Sequence, residues 1–147
     1  MTSAFPSRYE GPGESPGLLM WQATMHWQRV MRETLAEHSL THTQFVLLAS
    51  LCWLESQEGP VNQARIADHA RLDPMMTSQV LRALERNGWL DRKDHPGDAR
   101  AFLLRPTRRG RSLIRKALPA VEAADAAFFG VLGNSLRGFI AGLRKLA

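Results

Sequence analysis

Apolar positions recur at helical spacing in the first and last thirds of this chain and at shorter intervals in the middle. Over residues 18–38, Met20, Thr24, Trp27, Met31 and Leu35 return every three or four residues and so share one helix face, which Trp21, Met25 and Val30 widen. That much apolar surface on one helix predicts contacts on two sides, with its own core and with another subunit. A second helix is predicted from Thr41. There Thr41-His42-Thr43-Gln44 fits a capping box, the Thr hydroxyl accepting from the Gln44 N–H while the Gln44 side chain reaches back. Residues 45–54 are apolar almost all round, so this helix should be buried on most sides and serve as the hub of the core. Gly59-Pro60 ends it.

The pattern shortens over residues 62–110. Asn62 can cap a short third helix with Ile66, Ala67 and Ala70 inward. After a break at Leu72, Asp73 is a good N-cap and Pro74 suits the first helical position. A fourth helix then runs to Asn87, with Gly88 as its stop. On it Met76, Thr77, Val80, Leu81 and Leu84 share one half, and Met75, Ser78, Gln79, Arg82 and Arg86 the other. Residues 89–93 and 101–105 read as strands around a turn carrying Pro96-Gly97. Thr107 caps a fifth helix through Leu113, Ala117, Val121, Ala124 and Phe128, which Pro119 should kink. Asn134 is expected to cap a last helix with Leu136, Ile140 and Leu143 on one face. Helix, turn, helix and hairpin together outline a winged helix-turn-helix. The fold class expected is mainly α with a small β-hairpin wing, the winged core flanked by N- and C-terminal dimerisation helices.

At 147 residues the chain suggests one domain, residues 18–147, with the winged core at about 41–106 and dimerisation helices at about 18–38 and 107–146. Residues 1–17 are rich in Pro, Gly and Ser and are expected to form a flexible arm. That arm is either a plain tail or a segment crossing to a partner subunit with Phe5 and Tyr9 as anchors. No apolar run approaches the roughly 18 residues of a membrane span, and no secretory signal is expected. One cysteine excludes an intramolecular disulfide and makes a cytoplasmic home the simplest inference. Cys52 lies in the apolar run and reads as a small buried hydrophobe rather than a redox sensor.

Charge changes the picture more than size does. Residues 1–61 carry three Arg/Lys against six Asp/Glu, residues 62–116 thirteen against six, and residues 117–147 three against two. The excess of +5 therefore originates in the winged segment, the footprint expected of phosphate binding. A polar helix face is commonly only solvated. Beside this motif, Ser78, Gln79, Arg82 and Arg86 can instead reach bases or phosphates, Gln at adenine edges and Arg at guanine or phosphate. Arg100, in the wing, suits an adjacent minor groove. Arg108, Arg109, Arg111, Arg115 and Lys116 crowd the start of the fifth helix, where positive charge opposes the helix dipole and phosphate contact would explain it. Asn62 and Gln63, opening the third helix, complete the candidate DNA contacts.

Several stretches resemble the multiple antibiotic resistance regulator (MarR) family of bacterial transcription factors. They are Leu40-Thr41-x-x-Gln44-Phe45, Ile66-Ala67, Leu84-Glu85-Arg86-Asn87-Gly88-Trp89-Leu90, Asp98-Ala99-Arg100 and Thr107-x-x-Gly110, in that order along nearly the whole chain. The resemblance implies a homodimer joined through its first, fifth and sixth helices that binds near-palindromic double-stranded operators; a repressor is the expected reading, with activator action left open by the sequence. It implies that Ser78, Gln79 and Arg82 face the major groove, that Arg100 enters the minor groove and that Asp98 orients it. Met75 and Met76 stand where relatives often carry small polar residues, which suggests apolar base contact, for instance with thymine methyls. Pro106 replaces the usual Leu before Thr107.

Many relatives release DNA when a small aromatic acid or phenol binds between the dimer and DNA-binding parts. His26, Trp27, Arg29 and Phe45 either line such a pocket or are plain core and surface. Zinc-binding relatives use His on the fifth helix, where this chain has none. No GxGxxG, Walker loop, GxSxG or HExxH occurs, so no cofactor, metal or enzymatic activity is expected. The rival reading is a winged-helix module that binds protein without specific DNA binding.

Overall fold

The computed structural model describes residues 5–147, apart from the side chains of residues 98–101. A 3-10 turn at Pro12–Glu14 leads into α1 (Pro16–Ala36), followed by α2 (His42–Glu58), α3 (Gln63–Ala70) and α4 (Pro74–Arg86). Strands β1 (Leu90–His95) and β2 (Asp98–Pro106) form an antiparallel pair, and α5 (Arg108–Gly130) and α6 (Leu136–Leu146) close the chain. The mainly helical fold with a hairpin wing is the one the periodicity predicted. The first helix begins at Pro16 rather than residue 18 because Ser15 caps it, its side chain accepting from the Leu18 N–H.

Local chemistry sets most boundaries. The Thr41–Gln44 capping box is complete: the Gln44 N–H donates to Thr41 Oγ1 at 3.1 Å and the Thr41 N–H to Gln44 Oε1 at 3.0 Å. Asn62 accepts from the Arg65 N–H, Asp73 from the Met76 N–H and Thr107 from the Gly110 N–H, as their positions predicted. Gly88, at φ +75°, ends α4 in a Schellman turn, with Trp89 N–H bonded to Leu84 O and Gly88 N–H to Glu85 O. The same turn ends α3 with Arg71 at φ +53°, where the Leu72 N–H reaches Ala67 O.

The last helix departs from expectation. Asn134 does not cap it. A 3-10 turn at Gly133–Ser135 runs directly into α6, and Ser135, already helical at φ −75° and ψ −13°, makes no side-chain cap bond. An N-cap bond needs extended backbone, which this continuous entry removes.

The core is built around α2, whose Leu47, Leu48, Leu51 and Leu54 are buried against Met31 and Leu35 of α1, Ile66, Leu81, Leu84, Leu104 and Ala117. The expectation of a helix buried on most sides is met except at Trp53, which is 58% exposed. Two ion pairs fasten neighbours to α2: Arg65–Glu58 at 2.7 Å from α3 and Arg111–Glu55 at 2.9 Å from α5. The base of the wing is anchored by a two-bond bridge between Val61 and Leu104, so the α2–α3 connection acts as a short third strand beside β2.

Candidate nucleic-acid interface

The turn between α3 and α4 is fixed before α4 begins. Leu72 is half-buried against the core, the Asp73 carboxylate caps α4, and Thr77, fully buried, donates its hydroxyl to Asp73 O at 2.8 Å. Thr77, Leu81 and Leu84 point inward. On the opposite side Met75, Gln79, Arg82 and Arg86 recur at spacings of four, three and four, which makes a single solvent-exposed stripe along the helix axis. Ser78 sits at the flank of that stripe and is half-buried, and Met76 is 44% exposed although its position falls on the inward half.

Asn62 and Gln63 stand beside the start of α4. Asn62 is exposed with its side chain occupied by the α3 cap, and Gln63 Nε2 donates to Pro74 O at 3.4 Å. Gln63 therefore ties α3 to the first turn of α4. Arg108 is exposed in the first turn of α5. Asp98 and Arg100 lie outside the described side chains; they fall at the start of β2, just after the two-residue turn Pro96-Gly97.

Ion pairing separates the cations into two sets. Arg65, Arg71, Arg92 and Arg111 are held by Glu58, Asp68, Glu85 and Glu55. Among the described residues, Arg82, Arg86, Lys93, Arg108, Arg109, Arg115 and Lys116 enter no ion pair. Arg111 thus leaves the group of free cations in which the charge pattern put it, because α5 packs its second turn on α2. The free charges that remain lie on the exposed face of α4, on the wing and over the first turns of α5.

These elements meet at one joint, where the Thr107 hydroxyl donates to Gly88 O at 2.7 Å and the Thr107 N–H to Trp89 O at 3.0 Å. The approach is so close that a Cβ at Gly110 would stand 2.0 Å from the Trp89 carbonyl oxygen. The end of α4, the root of the wing and the basic start of α5 are therefore held as one piece. Pro106, buried at the end of β2, accommodates the joint without a backbone donor, paired across the ladder with Leu90.

Arg92 was not anticipated from the sequence. Its guanidinium lies 3.3 Å from Glu85 of α4 and 5.1 Å from the centre of the Phe102 ring, linking α4 to both strands of the wing. Nothing local in the sequence marks this, since the partners come from three elements.

The four residues considered for an aromatic pocket do not converge. Phe45 is 7% exposed and belongs to the core, because α2 turns that face toward the packed helices. Arg29 is exposed, and His26 meets the edge of Phe128 with ring centres 5.1 Å apart. Only Trp27 borders an apolar cavity of about 590 Å³ between α1, α5 and α6, with Phe128, Phe129 and Phe139. Its indole N–H donates to Asp125 at 2.8 Å and its ring meets His42 edge-on. Burial holds the His42 imidazole below its usual pKa, against the opposing pull of Asp125 and with a smaller push from Arg32. Burial likewise pushes the Cys52 thiol up to about 11, so it is not an activated thiolate.

A capped helix-turn-helix, a hairpin wing rooted at the end of the second helix and a surface of unpaired cations define a winged helix-turn-helix DNA-binding protein. The MarR family pattern matches residues 40–102, from the start of α2 into β2. The chain is 41% identical to the HTH-type transcriptional regulator YdcH of Bacillus subtilis, over 95% of each chain. It is 32% identical to the HTH-type transcriptional repressor Rv2887 of Mycobacterium tuberculosis, over 75% of this chain and 76% of that one. In three dimensions it resembles BpsR of Bordetella bronchiseptica, whose DNA binding is regulated by 6-hydroxynicotinic acid. The TM-score is 0.84 at 25% identity, with 95% of this chain and 97% of that one covered. The chain belongs to the MarR family and is a DNA-binding transcriptional regulator of the winged helix-turn-helix type. No single helix among the described residues is long and apolar enough to cross a membrane.

Proposed function

We propose that this regulator acts as a homodimeric repressor that binds a near-palindromic operator and releases it when a small aromatic ligand binds. The observation that carries the reading is the exposed stripe of α4 joined rigidly to the unpaired cations of α5. In it, Gln79 and Arg82 read base edges, with Ser78 at the margin, and Arg86 and Arg108 neutralise phosphates. Arg100 enters the minor groove beside the wing, oriented by Asp98. Asn62 and Gln63 approach the backbone at the start of the motif.

Dimerisation is supported by the apolar side chains left exposed on α1 and α6, among them Leu19, Met20, Trp21, Phe139, Ile140 and Leu143. A patch of that kind far from the reading helix is an interaction surface, and two-fold contact is the commonest way to cover one. It also spaces two reading helices for successive major grooves. An aromatic effector is supported by the regulation of BpsR by 6-hydroxynicotinic acid. The winged segment, about residues 41–106, carries the DNA contacts, and α1 and α5 pack into one core with it.

Selection from random duplexes tests the reading. It should enrich a near-palindrome, bound by a dimer in sedimentation analysis. Arg100→Ala should weaken gel-shift affinity for that duplex without unfolding the dimer, and 6-hydroxynicotinic acid is the first effector to titrate. Failure to enrich any palindrome at moderate salt would favour a protein-binding role.

A further inference from the structure

The exposed stripe of α4 is polar at Gln79, Arg82 and Arg86 but opens on Met75, which is 73% exposed, flanked by Met76 at 44%. Two large apolar side chains at the free surface of an otherwise polar helix bring no stability to the isolated protein. The neighbouring backbone shows that they are held there. The Met76 N–H is capped by Asp73 at 2.9 Å, Pro74 fixes the first helical residue, and Gln63 bonds the Pro74 carbonyl. Met75 therefore projects from a fixed first turn, the part of a reading helix that meets base edges.

We infer that Met75, with Met76 beside it, is a specificity residue that packs on the C5-methyl of thymine in each operator half-site. The major groove offers one apolar group, the thymine methyl, and three of the four bases lack it. Met is suited to it, being unbranched and polarisable, with enough freedom to fit a methyl without a fixed hydrogen-bond geometry. Gln79 stands one turn along the same stripe, and its amide matches adenine N6 and N7. An adenine read by Gln79 pairs with thymine in the same groove. The two side chains therefore favour A·T pairs near the N-terminal end of α4, while Arg82 and Arg86 take guanine or phosphate further along. Neither Met accepts or donates a strong hydrogen bond, so G·C at that position leaves the cytosine amino group facing an apolar surface.

The inference rests on the operator-binding reading, and the test separates the two. Each thymine of the selected duplex is replaced in turn by deoxyuridine, which removes only the methyl, and affinity is measured by fluorescence anisotropy with the full chain. One or two positions per half-site should lose about fourfold on this change, as expected for withdrawing one methyl from an apolar contact. Met75→Ala should bind more weakly and become indifferent to uridine at those positions. Met75→Leu, which keeps an apolar surface, should retain the dependence. Thermal melting of each variant monitors folding. A selected operator at which no uridine substitution matters, or a uridine penalty that persists in Met75→Ala, would overturn the Met75 assignment while leaving DNA binding intact. Failure to select any operator would remove both.

Discussion

Substituting Gly110 should uncouple α4 from the wing and from α5 at one atom. An alanine Cβ there would lie 2.0 Å from Trp89 O and 3.0 Å from Trp89 C, both main-chain atoms that cannot swing aside. A carbon–oxygen contact needs about 3.3 Å, so the first turn of α5 or the Trp89 peptide must retreat by more than 1 Å. That displacement strains three hydrogen bonds: Thr107 N–H to Trp89 O at 3.0 Å, Thr107 Oγ1 to Gly88 O at 2.7 Å, and Gly110 N–H to Thr107 Oγ1 at 3.0 Å. Each contributes about 1 kcal/mol net, and overpacking costs about 1–3 kcal/mol. Alanine returns about 1 kcal/mol through its helix propensity. The expected loss is therefore about 3–5 kcal/mol, a large share of a typical domain's stability. Urea unfolding followed by circular dichroism and Trp fluorescence measures it, with Gly130→Ala as control. Gly130 has no atom within 4 Å of an added Cβ, so its change should be neutral or mildly stabilising. A Gly110→Ala midpoint within about 1 kcal/mol of the parent would refute the close-approach reasoning.

Titration of His42 and Cys52 gives three further expectations. Burial lowers the His42 pKa from 6.5, so the unfolded chain binds this proton more readily than the native one. Its contribution to stability is complete above pH 6.5 and is lost as pH falls through the lowered native value; His42→Gln should flatten that part of a stability-versus-pH curve, and an unchanged curve would count against the buried-imidazole assignment. With a native pKa of about 11 against an ordinary 9.0, Cys52 should be alkylated far more slowly at pH 8 in native protein than in urea. Equal rates would show that the thiol is not shielded as α2 places it. Across pH 9 to 11 the same shift removes stability as pH rises, since only the unfolded thiol ionises there.

Legibility in the sequence follows the range of the interaction. Thr41, Asn62, Asp73, Thr107 and Gly88 were readable because each acts on backbone within a few residues of itself. Arg71 in the left-handed region was not, because nothing in an arginine announces that conformation. The wing's extent was underestimated because ladder pairing continues through polar Asp94 and His95, which no apolar alternation marks. Trp53 and Phe45 show the limit of an all-apolar helix: composition places it in the core, but only packing decides that Phe45 is enclosed and Trp53 is not. On the candidate interface the helix-face pattern placed Gln79, Arg82 and Arg86 correctly. The charge pattern could not separate Arg111, neutralised by Glu55 across more than fifty residues, from the free cations around it.

The DNA-facing surface is tested most directly by the salt dependence of affinity for the selected duplex. The logarithm of the binding constant should fall linearly with that of salt, with slope about −0.9 for each phosphate neutralised. Arg108→Ala should flatten the slope by about 0.9 for each contact it removes, while Arg65→Ala, whose charge is already occupied by Glu58, should leave it unchanged. A slope near zero, or one that responds equally to both substitutions, would contradict the assignment of the unpaired cations to phosphate.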